Sequence, residues 1–436
     1  MDWSKVHPLT LLLLSMALMM ILGVPISFSL ILCSLLVIWV ADLPLMVAVQ
    51  QMFTGINAFT LLALPFFFLA GNIMTQGEIA ERLVKLAMAM VGHLRGGLAH
   101  VNVVVGMFIS GISGSSTADA AAIGSVFFPA MKRRGYDERF AVSLTACTAT
   151  MGAVIPPSIL MVIYGATAGV SIGALLIGGI LPGILMGLSL MVQSHFFAVK
   201  YNFPREHPRF LGMRAVGDGL KAAVWPLGVP VIIVVGMVGG VFTPTESASI
   251  AAVYSLFVTL FILKTLRIRQ LPKLFSETAI QFSQVMFCLG GASIFGWLLA
   301  YYQVPDMVTK FITSFTRDWL VIMLIIVLVN VVLGTFMDAL PAILIFVPII
   351  HPLAVDVGIH PVHLGVIVVM TQSFGLLTPP LGMVAMTACA VSGVPMMRIQ
   401  KLLHIMMIPL LVVIVLCALA PWTVLIIPQL LVPKWL

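Results

Sequence analysis

Two clusters of hydroxyl, carboxylate and backbone-breaking residues interrupt otherwise apolar stretches of this 436-residue chain. The first holds Ser113, Gly114, Ser115, Ser116, Thr117 and Asp119, followed by Thr148, Thr150, Gly152 and the pair Pro156-Pro157. The second holds Gly334, Thr335 and Asp338, followed by Thr371, Ser373, Gly375, Thr378 and the pair Pro379-Pro380. Hydroxyls, a carboxylate and carbonyls freed where a helix breaks are the oxygen ligands that sodium takes in transporters with interrupted helices. The same residue types fit two plainer tasks. Serine and threonine bond between membrane helices, and an aspartate near a helix start caps it.

Repetition favours the ion site. Asp119 precedes Pro129 by ten residues as Asp338 precedes Pro348, an offset of 219. Gly135 precedes Pro156 by 21 residues as Gly358 precedes Pro379, an offset of 223. Gly152 and Gly375 each stand four residues before their proline pair. Taken at face value, two copies of one unit differ by a four-residue insertion. The spacing leaves each aspartate as either an ion ligand or a brace for its loop.

The elements that carry these clusters are membrane helices. The chain is 61% hydrophobic and 8% charged, where soluble domains carry about 25% charged residues. Its apolar runs approach the roughly 20 residues a membrane helix needs. The run Leu9–Val40 is too long for a cleavable signal and ends at no small-residue cleavage site. The net charge of +7 is concentrated in Lys132–Arg139, Lys200–Lys221 and Lys264–Lys273, which indicates positive-inside loops rather than nucleic-acid binding. Five cysteines without paired spacing argue against disulfides or a metal. His351, His360 and His363 read as one outer loop, with no metal role. There is no GxxxxGK[ST] phosphate loop for ATP hydrolysis. Thr243-Pro244-Thr245-Glu246 fits a capping box with proline at the first helical position.

Loop charge orders the chain into four regions. Residues 1–80 are N-terminal scaffold helices, in which Leu9–Val40 is either one long tilted helix or two short ones meeting at Gly23-Val24-Pro25. Residues 81–200 are a first repeat: a re-entrant hairpin over 96–134, flanked by positive charge at both ends, then a helix over 139–169 broken at Gly152 and Pro156-Pro157. Residues 201–281 hold a cytoplasmic loop and scaffold helices near 223–240 and 244–263. Residues 282–436 repeat the pattern: a crossing near 282–302, an amphipathic stretch Pro305–Thr316, a hairpin over 318–355, a broken helix over 362–394 and C-terminal helices. No Lys or Arg occurs between Arg317 and Arg398, so the second hairpin opens from the opposite side. The expected fold is an all-α polytopic membrane protein with two inverted-topology repeats, each holding a re-entrant hairpin and a broken helix, as in elevator-type ion transporters.

One absence bears on function. No Lys or Arg lies between Arg95 and Lys132, or across the second hairpin and broken helix. An anion bound between the tips must be balanced by bound cations and by the positive ends of half-helices.

The stretches Gly111–Gly124, Pro129–Tyr136, Gly152–Ile159, Thr243–Ala248, Gly334–Asp338 and Thr378–Gly382 together resemble the large membrane subunit of TRAP transporters, the DctM-like family. The resemblance implies sodium-driven import of organic anions, such as C4-dicarboxylates or sialic acid, by an elevator mechanism in the bacterial inner membrane. Sodium, as coupling ion, would lie among Ser113, Gly114, Ser115, Ser116, Gly152 and Pro156 in one half. In the other half it would lie among Gly334, Thr335, Asp338, Gly375, Thr378 and Pro379. Substrate would meet Ser116, Thr117, Thr150, Pro157, Ser373 and Pro380, while Asp119 stabilises its loop or ligates an ion. The implied partners are a separate four-helix small membrane subunit, a periplasmic substrate-binding protein and membrane lipid. No catalytic residue or organic cofactor is implied. Two other readings compete: a self-sufficient divalent-anion/sodium symporter of related fold, and a membrane enzyme using an Asp119–Asp338 pair.

Overall fold

The computed structural model describes residues 8–76, 80–379 and 382–435. Pro380, expected at the substrate site, lies outside them. No strand occurs among the described residues, and eight of their helices are long and apolar enough to cross a membrane.

The N-terminal run forms two helices, α1 (Pro8–Ile21) and α2 (Ile26–Val40), because Gly23 takes a positive φ of 77° and Pro25 starts a new helix. Next come α3 (Met46–Ile56), α4 (Ala63–Gln76) and α5 (Ala80–Val91). The first hairpin is α6 (Gly97–Ser113) and α7 (Ser116–Arg133), turned at Gly114 in the left-handed region. The first broken helix is α8 (Glu138–Ala149), capped by Asp137, and α9 (Ile159–Ala168), capped by Ser158. Short α10 (Ile172–Gly178) leads into α11 (Ile180–Lys200).

The middle of the chain forms α12 (Met213–Val238) and α13 (Pro244–Phe257). The capping box is present: the Thr243 hydroxyl accepts from the Glu246 amide, and the Glu246 carboxylate accepts from the Thr243 amide at 2.8 Å. The crossing expected near 282–302 is the 31-residue helix α14 (Leu271–Tyr301). Its polar first turns hid its start, which Pro272 marks. Amphipathic α15 (Val304–Phe315) exposes Met307, Phe311 and Phe315 in one stripe at four-residue spacing, suited to lie along a lipid surface.

The second hairpin is α16 (Trp319–Phe336) and α17 (Ala339–Asp356), and the second broken helix is α18 (Pro361–Gly375) and α19 (Met383–Ser392). The chain ends with α20 (Met396–Leu419) and α21 (Trp422–Leu431). The histidines do not share one outer loop: His351 is in α17, His363 is in α18 and His360 caps α18. Helices α6, α8 and α18 are buried along nearly their whole length, which puts the hairpins and broken helices at the centre of the bundle.

The repeat is simpler than its residue spacing suggested. Adding 223 to the bounds of α6, α7, α8 and α9 gives 320–336, 339–356, 361–372 and 382–391, against the observed 319–336, 339–356, 361–375 and 383–392. A single offset accounts for both hairpin and broken helix, so the inferred four-residue insertion is not there. Asp119 and Asp338 are not equivalent: the partner of Asp338 is Ser115, and that of Asp119 is Ala342. The misleading signal was proline. Pro348 and Pro352 lie one turn apart inside α17, and the counterpart of Pro129 is Pro352.

Candidate functional site

A cavity of about 600 Å³ opens where both hairpin tips face the scaffold. The first tip contributes Ser113 through Ala118 and the second contributes Asp338 through Pro341. The opposite wall is α4, with Phe68, Gly71, Asn72 and Thr75, and α14, with Gln281, Gln284, Val285 and Cys288. Each set repeats at i, i+3, i+4 and i+7, which places it on one helix face. Asn72 Nδ2 joins the two scaffold helices by donating to Thr278 Oγ1 and Gln281 Oε1, both at 2.9 Å. Both its N–H groups are then used, so its Oδ1 remains to accept. The Gln284 side chain makes no hydrogen bond among the described residues. The lining holds no Lys, Arg or His, and Asp338 is its one carboxylate.

The first tip is braced from inside. Asp119 is fully buried and accepts from the hydroxyls of Ser113 and, at 3.2 Å, Ser110. Ser113 Oγ also accepts from the Ser115 amide at 3.2 Å. A Cβ on Gly152 would stand 2.2 Å from Asp119 Oδ2, so glycine there lets the broken helix touch the braced tip. Gly114 likewise abuts the Pro157 carbonyl. Ser115 caps α7 by position but makes no side-chain cap bond; its hydroxyl lies 3.3 Å from that of Thr117.

The second tip is built differently. A Cβ on Gly375 would fall 2.5 Å from Gly334 Cα, so hairpin and broken helix meet backbone to backbone. Gln372 Nε2 donates to Asn330 Oδ1 at 2.8 Å across the same junction. Asp338 caps α17 through the Ala339 amide at 2.8 Å and is exposed toward the cavity. The Thr335 hydroxyl donates to the Val332 carbonyl at 2.7 Å, leaving its lone pairs free. Thr378 Oγ1 and Gln372 Oε1 are buried without a partner. Uncompensated buried oxygens beside freed carbonyls suit a small hard cation.

Both halves meet at one point. Ser373 Oγ donates to the Thr150 carbonyl at 2.8 Å and lies 3.3 Å from Ser116 Oγ. The hydroxyls of Ser116 and Ser373 and the carbonyl of Thr150 are thus together, while Thr117 lines the cavity beside them. The aspartates form no pair, since their bonds go to separate elements. Sequence reasoning missed Asn72, Gln281, Gln284 and Gln372. The first three follow from the face periodicity of α4 and α14, a signal obscured because α14 was expected to start at residue 282.

Interrupted inverted repeats around a central polar cavity define the class: a secondary-transport permease rather than an enzyme. Residues 13–423 match the family described as "Tripartite ATP-independent periplasmic transporter, DctM component", and the chain belongs to that family. It is 37% identical to the sialic acid TRAP transporter large permease protein SiaM of Vibrio cholerae, covering 94% of this chain and 95% of that one. It is 39% identical to the C4-dicarboxylate TRAP transporter large permease protein DctM of Pseudomonas aeruginosa, over 79% and 81% of the two chains. The fold is similar to that in the crystal structure of the Alcanivorax borkumensis YdaH transporter, with a TM-score of 0.58 at 15% identity and 87% coverage of each chain. The protein is a multi-pass component of the bacterial inner membrane.

Proposed function

We propose that this chain is the large membrane subunit of a sodium-coupled, binding-protein-dependent importer of organic anions, either carboxylates or sugar acids. One observation carries the reading. The cavity shared by both hairpin tips offers hydroxyls, amides and one carboxylate, but no cationic side chain. An anion entering it needs positive charge from elsewhere. The uncapped start of α7 supplies part. Sodium at the two junctions of hairpin and broken helix supplies the rest, held by Ser113–Ser116 with Gly152 and Pro156, and by Gly334, Thr335 and Asp338 with Gly375, Thr378 and Pro379. Substrate then sits against Ser116 and Thr117, which line the cavity; of the other residues expected there, Thr150 and Ser373 are buried behind Ser116 and, like Pro157, do not line it. Sodium makes anion binding favourable, and this couples the two.

The names of the relatives, which specify sialic acid and C4-dicarboxylates, support an organic acid. The cavity lies between the hairpin tips and the α4–α14 wall, which suits an elevator in which the tips and broken helices slide along a fixed scaffold. The working unit includes a small four-helix membrane subunit and a periplasmic binding protein.

Reconstitution tests the reading. Proteoliposomes holding this chain and its small subunit should take up substrate only with the binding protein outside and an inward sodium gradient. Uptake without the binding protein favours a self-sufficient symporter instead, and equal uptake in potassium rules out sodium coupling. Ser115→Ala and Thr335→Ala should each raise the sodium concentration for half-maximal uptake. Unchanged values in both remove these residues from the ligand set.

A further inference from the structure

A second cavity, of about 240 Å³, lies at the basic end of the molecule where α8, α11 and α20 come together. Arg139 from the start of α8 lines it, with Arg398 and Lys401 from the first turns of α20. Arg139 forks onto Asp137 through Nε and Nη2 at 2.6 to 3.1 Å, and its Nη1 donors stay free. That pairing holds the Asp137 carboxyl below the usual range. Arg398 and Lys401 form no ion pair among the described residues. Three cations against one carboxylate leave the lining at net +2.

The remaining walls are apolar in a particular way. Phe140, Phe197, Tyr201 and Phe203 line one side, with ring centroids 5.8 Å apart for Phe197–Tyr201 and 5.1 Å for Phe140–Phe203. Of these, the exposed Tyr201 is of the residue type that sits at headgroup level in membrane proteins. Ile405 lines the cavity and is also open to the outside, and Ile408, one turn deeper on α20, is exposed. Beneath, Gln193 Nε2 donates to the Ile405 carbonyl at 2.7 Å and ties α11 to α20. The cavity is therefore cationic at its head and continuous with lipid-facing apolar surface at its foot.

We infer that this cavity binds the phosphate headgroup of an anionic glycerophospholipid of the cytoplasmic leaflet, with the acyl chains along α20. Basic pockets between membrane helices on the cytoplasmic side recognise such headgroups, and arginine suits phosphate oxygens geometrically. The apolar foot selects a lipid over a soluble phosphate, which would leave Leu402 and Ile405 wet. A bound headgroup bridges α8, which opens the first broken helix, and α20, which follows the second.

Lipid retention in the intact chain tests this. The protein is purified in nanodiscs of phosphatidylglycerol or phosphatidylcholine, and co-purifying lipid is counted by native mass spectrometry. Wild type should retain phosphatidylglycerol preferentially, and Arg398→Gln with Lys401→Gln should weaken retention by about thirtyfold. Arg398→Lys should keep most of it. Lys221→Gln with Lys273→Gln removes the same charge away from the cavity and should change nothing. Equal retention of both lipids, or undiminished retention in the Arg398/Lys401 variant, overturns the site. Protection of the detergent-solubilised protein by inorganic phosphate as strong as that by phosphatidylglycerol overturns the lipid and assigns a soluble anion. Thermal midpoints in phosphatidylcholine show whether each variant is folded.

Discussion

The two halves share one backbone plan and brace it with different chemistry. In the first, Asp119 ties α7 to Ser110 and Ser113 of α6, so the polar brace lies inside the hairpin. At the constant offset, the second half has Ala342, Leu333 and Phe336 in those places and no such brace. It uses Gln372 and Asn330 to tie the hairpin to the broken helix, where the first half has Ala149 and Met107. The carboxylate has moved to the cavity wall as Asp338, the counterpart of Ser115. A duplicated scaffold can therefore keep its helix bounds while one copy spends its carboxylate on shape and the other presents it to the cavity.

The tightest contacts should separate the halves most sharply. Gly375→Ala drives a methyl into the backbone of Gly334, and backbone cannot step aside. The expected loss is about 3 kcal/mol, read as a large fall in thermal midpoint and in folded yield. Gly152→Ala meets a side chain instead, the Asp119 carboxylate, so its cost should be smaller, about 2 kcal/mol. It should also be non-additive with Asp119→Ala, which removes the obstructing atoms. Strict additivity in that double variant would sink the close packing of tip on broken helix.

The aspartates come next. Asp119→Asn turns one acceptor of a fully buried brace into a donor facing hydroxyls, at a cost of about 1–3 kcal/mol. Asp338→Asn keeps an acceptor for the Ala339 amide at an exposed position, so its effect on stability should stay within roughly 1 kcal/mol. Its effect should appear in the sodium dependence of uptake. If Asp338→Asn is the more destabilising of the two, the division between brace and cavity group is wrong.

These roles mark the limit of what could be read before the fold. Glycine and proline marked the helix breaks within both hairpins and both broken helices, because helix breaks are written in local residue types. The matched Asp–Pro spacing was also local, and it misled: two prolines one turn apart in α17 allow two registers, which only helix ends distinguish. Asn72 and Thr278 are 206 residues apart, and nothing in either neighbourhood announces the other. Gln372 reads as one polar residue in an apolar helix until Asn330 is placed against it. Charge and periodicity are legible along a chain, whereas the partner of a buried amide is set by packing.

The smallest effect concerns the wall that both halves face. Gln284 stands on the cavity face of α14 and its side chain makes no hydrogen bond among the described residues, so the fold does not depend on its amide. Gln284→Met keeps length and helix propensity and should leave the thermal midpoint unchanged. If the scaffold wall touches substrate, the variant loses one neutral hydrogen bond, worth about 1 kcal/mol, and the KM for uptake rises roughly fivefold. Sodium dependence should not move if the proposed coupling sites lie across the cavity, at the junctions of hairpin and broken helix. Asp338→Asn should give the opposite pattern, shifting sodium dependence. Should both variants change KM and sodium dependence together, tips and wall act as one site, and the assignment of ion chemistry to the hairpins and substrate contact to the scaffold does not hold.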